Sequence, residues 1–160
     1  MIEIRKIKTE EYEKAQDLII SIMKSEFADD IDAYPLKDLD DIAASYGNIG
    51  EAFFVGVASD GRVVGTIAIK CEDERTALLR RVFVHPEYRR RQLGSMLMDR
   101  AIEFCREVGY QEIIFKTTSK MQGAIKLCQS KKFTERAKID IGKIELFKFA
   151  LFLKENSPLA

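Results

Sequence analysis

Between Val82 and Met98 the chain reads V-F-V-H-P-E-Y-R-R-R-Q-L-G-S-M-L-M, and few local architectures accommodate that order. Val82, Phe83 and Val84 suit a strand, Pro86 ends it, and Arg89, Arg90 and Arg91 lead through Gly94 into a helix of apolar period. A helix start carries amide N–H groups without intrahelical partners and the positive end of the macrodipole. A strand, a basic turn and a helix N-terminus in succession therefore suit a phosphate, and the three guanidiniums strengthen the preference. The spacing is neither the G-x-G-x-x-G of a dinucleotide fold nor the G-x-x-x-x-G-K-[ST] of a Walker loop.

The flanking sequence predicts the rest of the frame. Ile2, Ile4 and Ile7 open the chain as a short strand, and Thr9 is placed to cap a helix with Tyr12, Ala15, Leu18, Ile19, Ile22 and Met23 on one face. Glu26 to Asp32 is an acidic segment, readable as a solvated loop or as a lip that attracts a cationic amine. A second helix is expected from Leu36 to Tyr46. Ala52–Ala58 and Val63–Ile69 form a hairpin about Asp60-Gly61, and Ala77–Val84 extends it. A helix from Leu93 to Val108 ends at Gly109, and Glu112–Thr118 returns parallel to Ala77–Val84. A helix from Lys120 to Lys131 and strands Phe133–Ile139 and Lys143–Leu153 close the order β-α-α-β-β-β-α-β-α-β-β.

Composition narrows the function. The 160 residues suit one domain spanning 1–160, and 26 basic residues balance 26 acidic ones. That balance, without aromatic residues interleaved among basic ones, argues against a nucleic-acid surface. The absence of a signal-peptide pattern and of any apolar run near ~20 residues predicts a cytoplasmic protein with no membrane contact. Cys71, Cys105 and Cys128 are odd in number and widely spaced, so neither a disulfide framework nor a metal site is expected. The apolar final strand, with Leu146, Phe147, Phe149, Leu151 and Phe152, offers a surface for a homodimer.

The arrangement from Val84 to Gly94 resembles the acetyl-CoA-binding motif of the GNAT superfamily of N-acetyltransferases, V-x-P-x-x-R-G-x-G-x-G. Val84, Pro86, Arg89 and Gly94 match, while Gln92 stands at the middle glycine. A second family pattern, T-T-x-x-x-x-x-A-x-x-x-Y-x-x-x-G-F, matches at Thr117, Thr118, Ala124 and Phe133. It departs at Cys128, where tyrosine is usual, at Lys132, where glycine is usual, and at Met121, where asparagine is often found. The resemblance covers nearly the whole chain. It implies an α/β fold whose central mixed, mostly antiparallel sheet of about seven strands is flanked by four helices.

It also implies a reaction and a site. Acetyl-CoA is the implied co-substrate, and an amine of a small molecule, peptide or protein is the acceptor. Val82, Phe83 and Val84 would offer backbone groups to the pantetheine arm. Arg89, Arg90, Arg91, Gln92, Leu93, Gly94 and Ser95 would hold the phosphates, with Met121 beside them. Phe27, Asp29, Tyr34 and Thr117 are candidates for the acceptor side, together with Asp30 and Asp32. Proton handling is less regular, because Leu78 stands where many members carry a glutamate and Cys128 where they carry a tyrosine. Cys128 is the candidate acid for the leaving thiolate, with plain core packing as the other reading. His85 and the Glu72-Asp73-Glu74 turn are further candidate bases, each also readable as structural. These departures leave a second function open, an acyl-CoA-binding module of the same fold that has lost the chemistry.

Overall fold

The computed structural model describes residues 1–33 and 35–153. Among them the strands are β1 (Glu3–Lys6), β2 (Ala52–Val57), β3 (Val63–Cys71), β4 (Thr76–Val84), β5 (Glu112–Thr118), β6 (Thr134–Ile141) and β7 (Ile144–Phe152). The helices are α1 (Tyr12–Glu26), α2 (Ile42–Ser45), α3 (Leu93–Val108) and α4 (Gln122–Ser130). One sheet runs in the order β1-β2-β3-β4-β5-β7-β6. Among the described residues only β4 and β5 are parallel neighbours, as a strand–helix–strand crossover through α3 requires.

Each face of the sheet carries its own core. α3 and α4 cover one face, where Leu93, Leu97, Ala101 and Phe104 pack on Phe54, Ile67, Leu79, Ile113 and Phe115. α1 covers the other, where Ala15, Ile19, Ile22 and Met23 meet Phe53, Val55 and Ala68. Each such Leu, Ile or Phe contributes roughly 1.5–3 kcal/mol on burial, so these faces fix both helices firmly. Gly109 ends α3 at φ +101, a conformation that a residue with a Cβ rarely adopts.

Several expectations change. Thr9 does not cap α1: a 3-10 turn over Thr9–Glu11 precedes it, and the buried Glu11 carboxylate accepts the Lys8 N–H at 2.9 Å and the two Arg5 Nη groups at 2.7 and 2.8 Å. The helix expected over 36–46 is a 3-10 turn, Lys37–Asp41, followed by the single turn of α2. Asp41 interrupts it by leaving helical backbone and accepting the Ala44 N–H, the local competition that short acidic side chains offer a helix. The acidic segment is no simple loop, since a 3-10 turn over Ala28–Ala33 buries Asp30 completely. β7 lies between β5 and β6, so its backbone edges are already paired and the edge strand at that end of the sheet is β6. No helix among the described residues is long and apolar enough to cross a membrane.

Candidate active site

β4 and β5 pair from Thr76↔Glu112 to Leu79↔Phe115 and then part, although the strands continue to Val84 and Thr118. The cause lies in β4. Its register against β3 shifts between Thr66 and Ala68, and Arg81 takes φ +56 at the bulge, which costs a residue with a Cβ roughly 1–2 kcal/mol. Buried partners hold it there. The Thr66 hydroxyl donates to the Arg81 carbonyl at 2.7 Å. The Arg81 guanidinium donates to Asp38, with Nε–Oδ2 at 3.0 Å, and to the Pro35 carbonyl at 2.6 Å. Tyr46 Oη also donates to Asp38. Burial alone would raise the Asp38 carboxyl, but Arg81 and Tyr46 hold it below the usual carboxylate range. Burial pushes the Tyr46 hydroxyl upward, with Asp38 adding to the shift. A buried network thus fixes the backbone conformation that opens the sheet.

The basic turn begins where that opening ends. His85 starts a 3-10 turn over Pro86–Tyr88, and its Nδ1 accepts the Glu87 N–H at 3.1 Å, a structural task that occupies one ring nitrogen. Asp73 is likewise occupied, since its Oδ1 accepts the Arg75 and Thr76 amides at 2.8 and 2.9 Å. Arg90 and Gln92 adopt φ +63 and +62, alternating with their neighbours so that the chain curls into the start of α3. Gln92 therefore occupies a left-handed position that favours glycine. Gly94 has no such conformation, and a Cβ there would meet Leu127 Cδ2 at 3.5 Å and Val84 Cγ2 at 3.7 Å, ordinary contacts.

A cavity of about 780 Å³ lies between this turn, the C-terminus of α1 and the start of α4. Val82, Phe83, Val84, Arg89, Arg90, Gln92, Leu93, Gly94, Ser95 and Met121 all line it, as does Phe27. Arg91 does not: its guanidinium lies 5.2 Å from the Tyr88 ring centre, over a separate depression beside Met1 and Ser59. Asp29 is exposed and pairs with Lys120 at 3.2 Å, Thr117 is fully buried with an unpartnered hydroxyl, and Tyr34 lies outside the described residues. Glu26, the first residue of the acidic segment, also lines the cavity, as does Lys120, which sequence reasoning missed. Lys120 follows a strand and stands in no pattern that marks a site.

Cys128 is fully buried on α4 and does not line the cavity. Burial pushes its thiol up to about 12. A buried thiol so weakly acidic is a poor donor to a thiolate of ordinary pKa near ~8.5, which favours the core-packing reading of Cys128 over the acid reading. Leu78 is half-buried on β4 and brings no carboxylate. The lining is otherwise basic, with Arg89, Arg90, Lys120 and Lys126 against Glu26. A parted parallel strand pair, a left-handed basic turn and the helix start that follows it suit an extended, phosphate-bearing ligand.

Comparison with known sequences gives the family. The acetyltransferase (GNAT) family model matches residues 17–133, and the chain belongs to that family. Human N-acetyltransferase 8 is 30% identical over 118 residues, 70% of this chain and 52% of that protein. The chain spans about half the length of the curated relatives it matches. A GNAT acetyltransferase from Staphylococcus aureus Mu50 superposes with a TM-score of 0.82 at 26% identity, over 96% of this chain and 100% of that one. An acetyltransferase from Salmonella typhimurium, solved with its cofactor acetyl-CoA, shares the fold with a TM-score of 0.80 at 20% identity, over 98% and 96% of the two chains.

Proposed function

We propose that this chain transfers an acetyl group from acetyl-CoA to the amine of a small molecule, peptide or protein. The observation that carries the reading is the parting of β4 and β5 beside the left-handed turn at Arg90 and Gln92. The residues present fit the co-substrate. Beyond Leu79 the edge of β4 that faces β5 has no strand partner, so Val82, Phe83 and Val84 can offer N–H and C=O groups to an amide-bearing arm. The amides of Leu93, Gly94 and Ser95 and the side chains of Arg89 and Arg90 would hold the diphosphate. Acetyl-CoA supplies a thioester carbonyl open to attack by an amine. Phe27 lines the cavity on the proposed acceptor side, and the exposed Asp29 in the turn after it favours a cation.

The proton chemistry separates this reading from the second one. An acceptor ammonium must lose a proton before it attacks, and neither Leu78 nor Cys128 provides for that. Orientation in a shaped site lowers such a barrier substantially without a dedicated side-chain base. Leu78 and the buried Cys128 thiol are the observations that favour a CoA-ester-binding module without turnover. The three free cysteines support placement in the cytoplasm. Exposed Ile139 and Ile141 on edge strand β6 support pairing of two copies.

The test is release of free thiol from acetyl-CoA in the presence of spermidine, lysine amide and a peptide with a free N-terminus. Amine-dependent thiol release establishes the transferase. Stabilisation by CoA without any such release across the panel establishes the binding module instead.

A further inference from the structure

Lys120 stands between the end of β5 and the start of α4, at the rim of the cavity that Met121 and Arg89 also line. Its ammonium lies 3.2 Å from Asp29 Oδ2 and 3.9 Å from Asp30 Oδ1. The two carboxylates differ in kind. Asp29 is exposed, whereas Asp30 has no solvent exposure. The Thr118 hydroxyl donates to Asp30 Oδ2, which fixes the carboxylate, and Oδ1 has no hydrogen-bond partner. A buried carboxylate oxygen left unpaired carries a desolvation cost, and such groups call for an explanation beyond packing. Here the unpaired oxygen faces an amine that borders the cofactor cavity.

We infer that Lys120 is a self-acetylation site, with Asp30 as the acceptor of its proton. The inference rests on the acetyl-transfer reading and extends it to a nucleophile that the chain itself provides. Asp30 Oδ1 takes one proton from the Lys120 ammonium, and the freed lone pair attacks the thioester carbonyl. The C–N bond forms, the C–S bond breaks, and the second nitrogen proton passes to the departing thiolate, leaving N-acetyl-lysine, free CoA thiol and protonated Asp30. Acetylation cancels the charge that ties Lys120 to Asp29 and Asp30, so the turn over Ala28–Ala33 keeps only its Thr118 bond to the end of β5.

Lys126 supplies an internal comparison. It lines the same cavity and makes no hydrogen bond or ion pair among the described residues. Proximity to the co-substrate is thus shared by the two lysines, and the buried carboxylate belongs to one.

The experiment incubates the purified chain with acetyl-CoA and follows acetylation of each lysine by peptide mass spectrometry, with CoA-induced thermal stabilisation measured in parallel. The expected result is labelling of Lys120 at least about tenfold faster than Lys126 and exposed Lys143, saturable in acetyl-CoA and lowered roughly tenfold or more by Asp30→Asn. Thr118→Val keeps the carboxylate while removing its anchor, and a smaller fall is expected there, which preserves the test if Asp30→Asn does not fold. Equal rates at Lys120, Lys126 and Lys143 overturn the inference, as does an unchanged rate in folded Asp30→Asn. Stabilisation by CoA with no labelling of Lys120 removes this inference alone. Absence of any stabilisation removes the cofactor reading on which it stands.

Discussion

Arg89 grips Glu26 through two parallel hydrogen bonds, Nη1–Oε1 at 2.7 Å and Nη2–Oε2 at 2.8 Å, while its Nε donates to the Val84 carbonyl at 3.1 Å. An arginine placed to meet a phosphate is thereby held by a carboxylate at the C-terminus of α1, the end of a helix where negative charge is least favoured. Both side chains are partly exposed, so solvent screens the pair. In the proposed complex the carboxylate would compete with the diphosphate for one guanidinium. Glu26→Gln is expected to tighten CoA binding roughly two- to fivefold at low salt, with the gain shrinking at high ionic strength. Isothermal titration of CoA at two salt concentrations measures it; weaker binding in the variant would contradict the competition.

The Arg81–Asp38 pair gives a stability prediction. Asp38→Asn leaves a buried guanidinium without its charge partner, and a loss of about 3 kcal/mol is expected in urea unfolding. The pH dependence follows from the lowered Asp38 carboxyl. A carboxyl whose folded pKa lies below its unfolded value contributes stability above the unfolded value, near ~3.9, and loses it as pH falls through the folded one. The wild-type chain should therefore lose stability on acidification below about pH 4 more steeply than Asp38→Asn. Equal slopes would remove Asp38 from the account.

Gln92 tests the turn. At φ +62 a glycine relieves the strain of a Cβ but adds freedom to the unfolded chain, so Gln92→Gly should change stability by less than about 1 kcal/mol and keep CoA affinity. Gln92→Val places a β-branched side chain in the same conformation and should lower both stability and affinity. Chemical denaturation and CoA titration of the two variants separate these effects. A valine variant that binds as well as wild type would show that the amides of this turn do not hold the ligand.

Cys128 tests the proton chemistry. With the thiol pushed up to about 12, donation to a thiolate of ordinary pKa is uphill by roughly 5 kcal/mol. Cys128→Ala should keep turnover within a few-fold and cost about 1 kcal/mol of stability through the small cavity it leaves. Loss of turnover at unchanged CoA affinity would restore the acid role.

How much of this was legible follows from the range of each interaction. α1, α3 and strands β2 to β5 announce themselves through local period, because Ala15, Ile19, Ile22 and Met23 need only one face to pack against. The basic turn was legible for the same reason, its strand, arginines and helix start being contiguous. What stayed hidden is non-local. Asp38 reads as one more acid in a run of acids until Arg81, across 43 positions, turns into its reach from a bulge. Asp30 reads as a solvated residue until Thr118, 88 positions on, buries it. Arg91 is indistinguishable in sequence from Arg90, and only the Tyr88 ring draws it away from the cavity. The place of β7 inside the sheet rests on its pairing with β5 and β6 on either side, which the apolar pattern of one strand does not encode.

The central claim is that the opening between β4 and β5, with the turn from Arg89 to Ser95, holds a CoA ester. Thermal unfolding of the chain with and without CoA tests it most directly. At a CoA concentration one hundred times the Kd, binding to the folded state adds about 2.7 kcal/mol, which for a chain of this size raises Tm by roughly 5–10 °C. A saturable rise of that order, reduced by Arg89→Ala, is expected. An unchanged Tm in millimolar CoA and acetyl-CoA would contradict it.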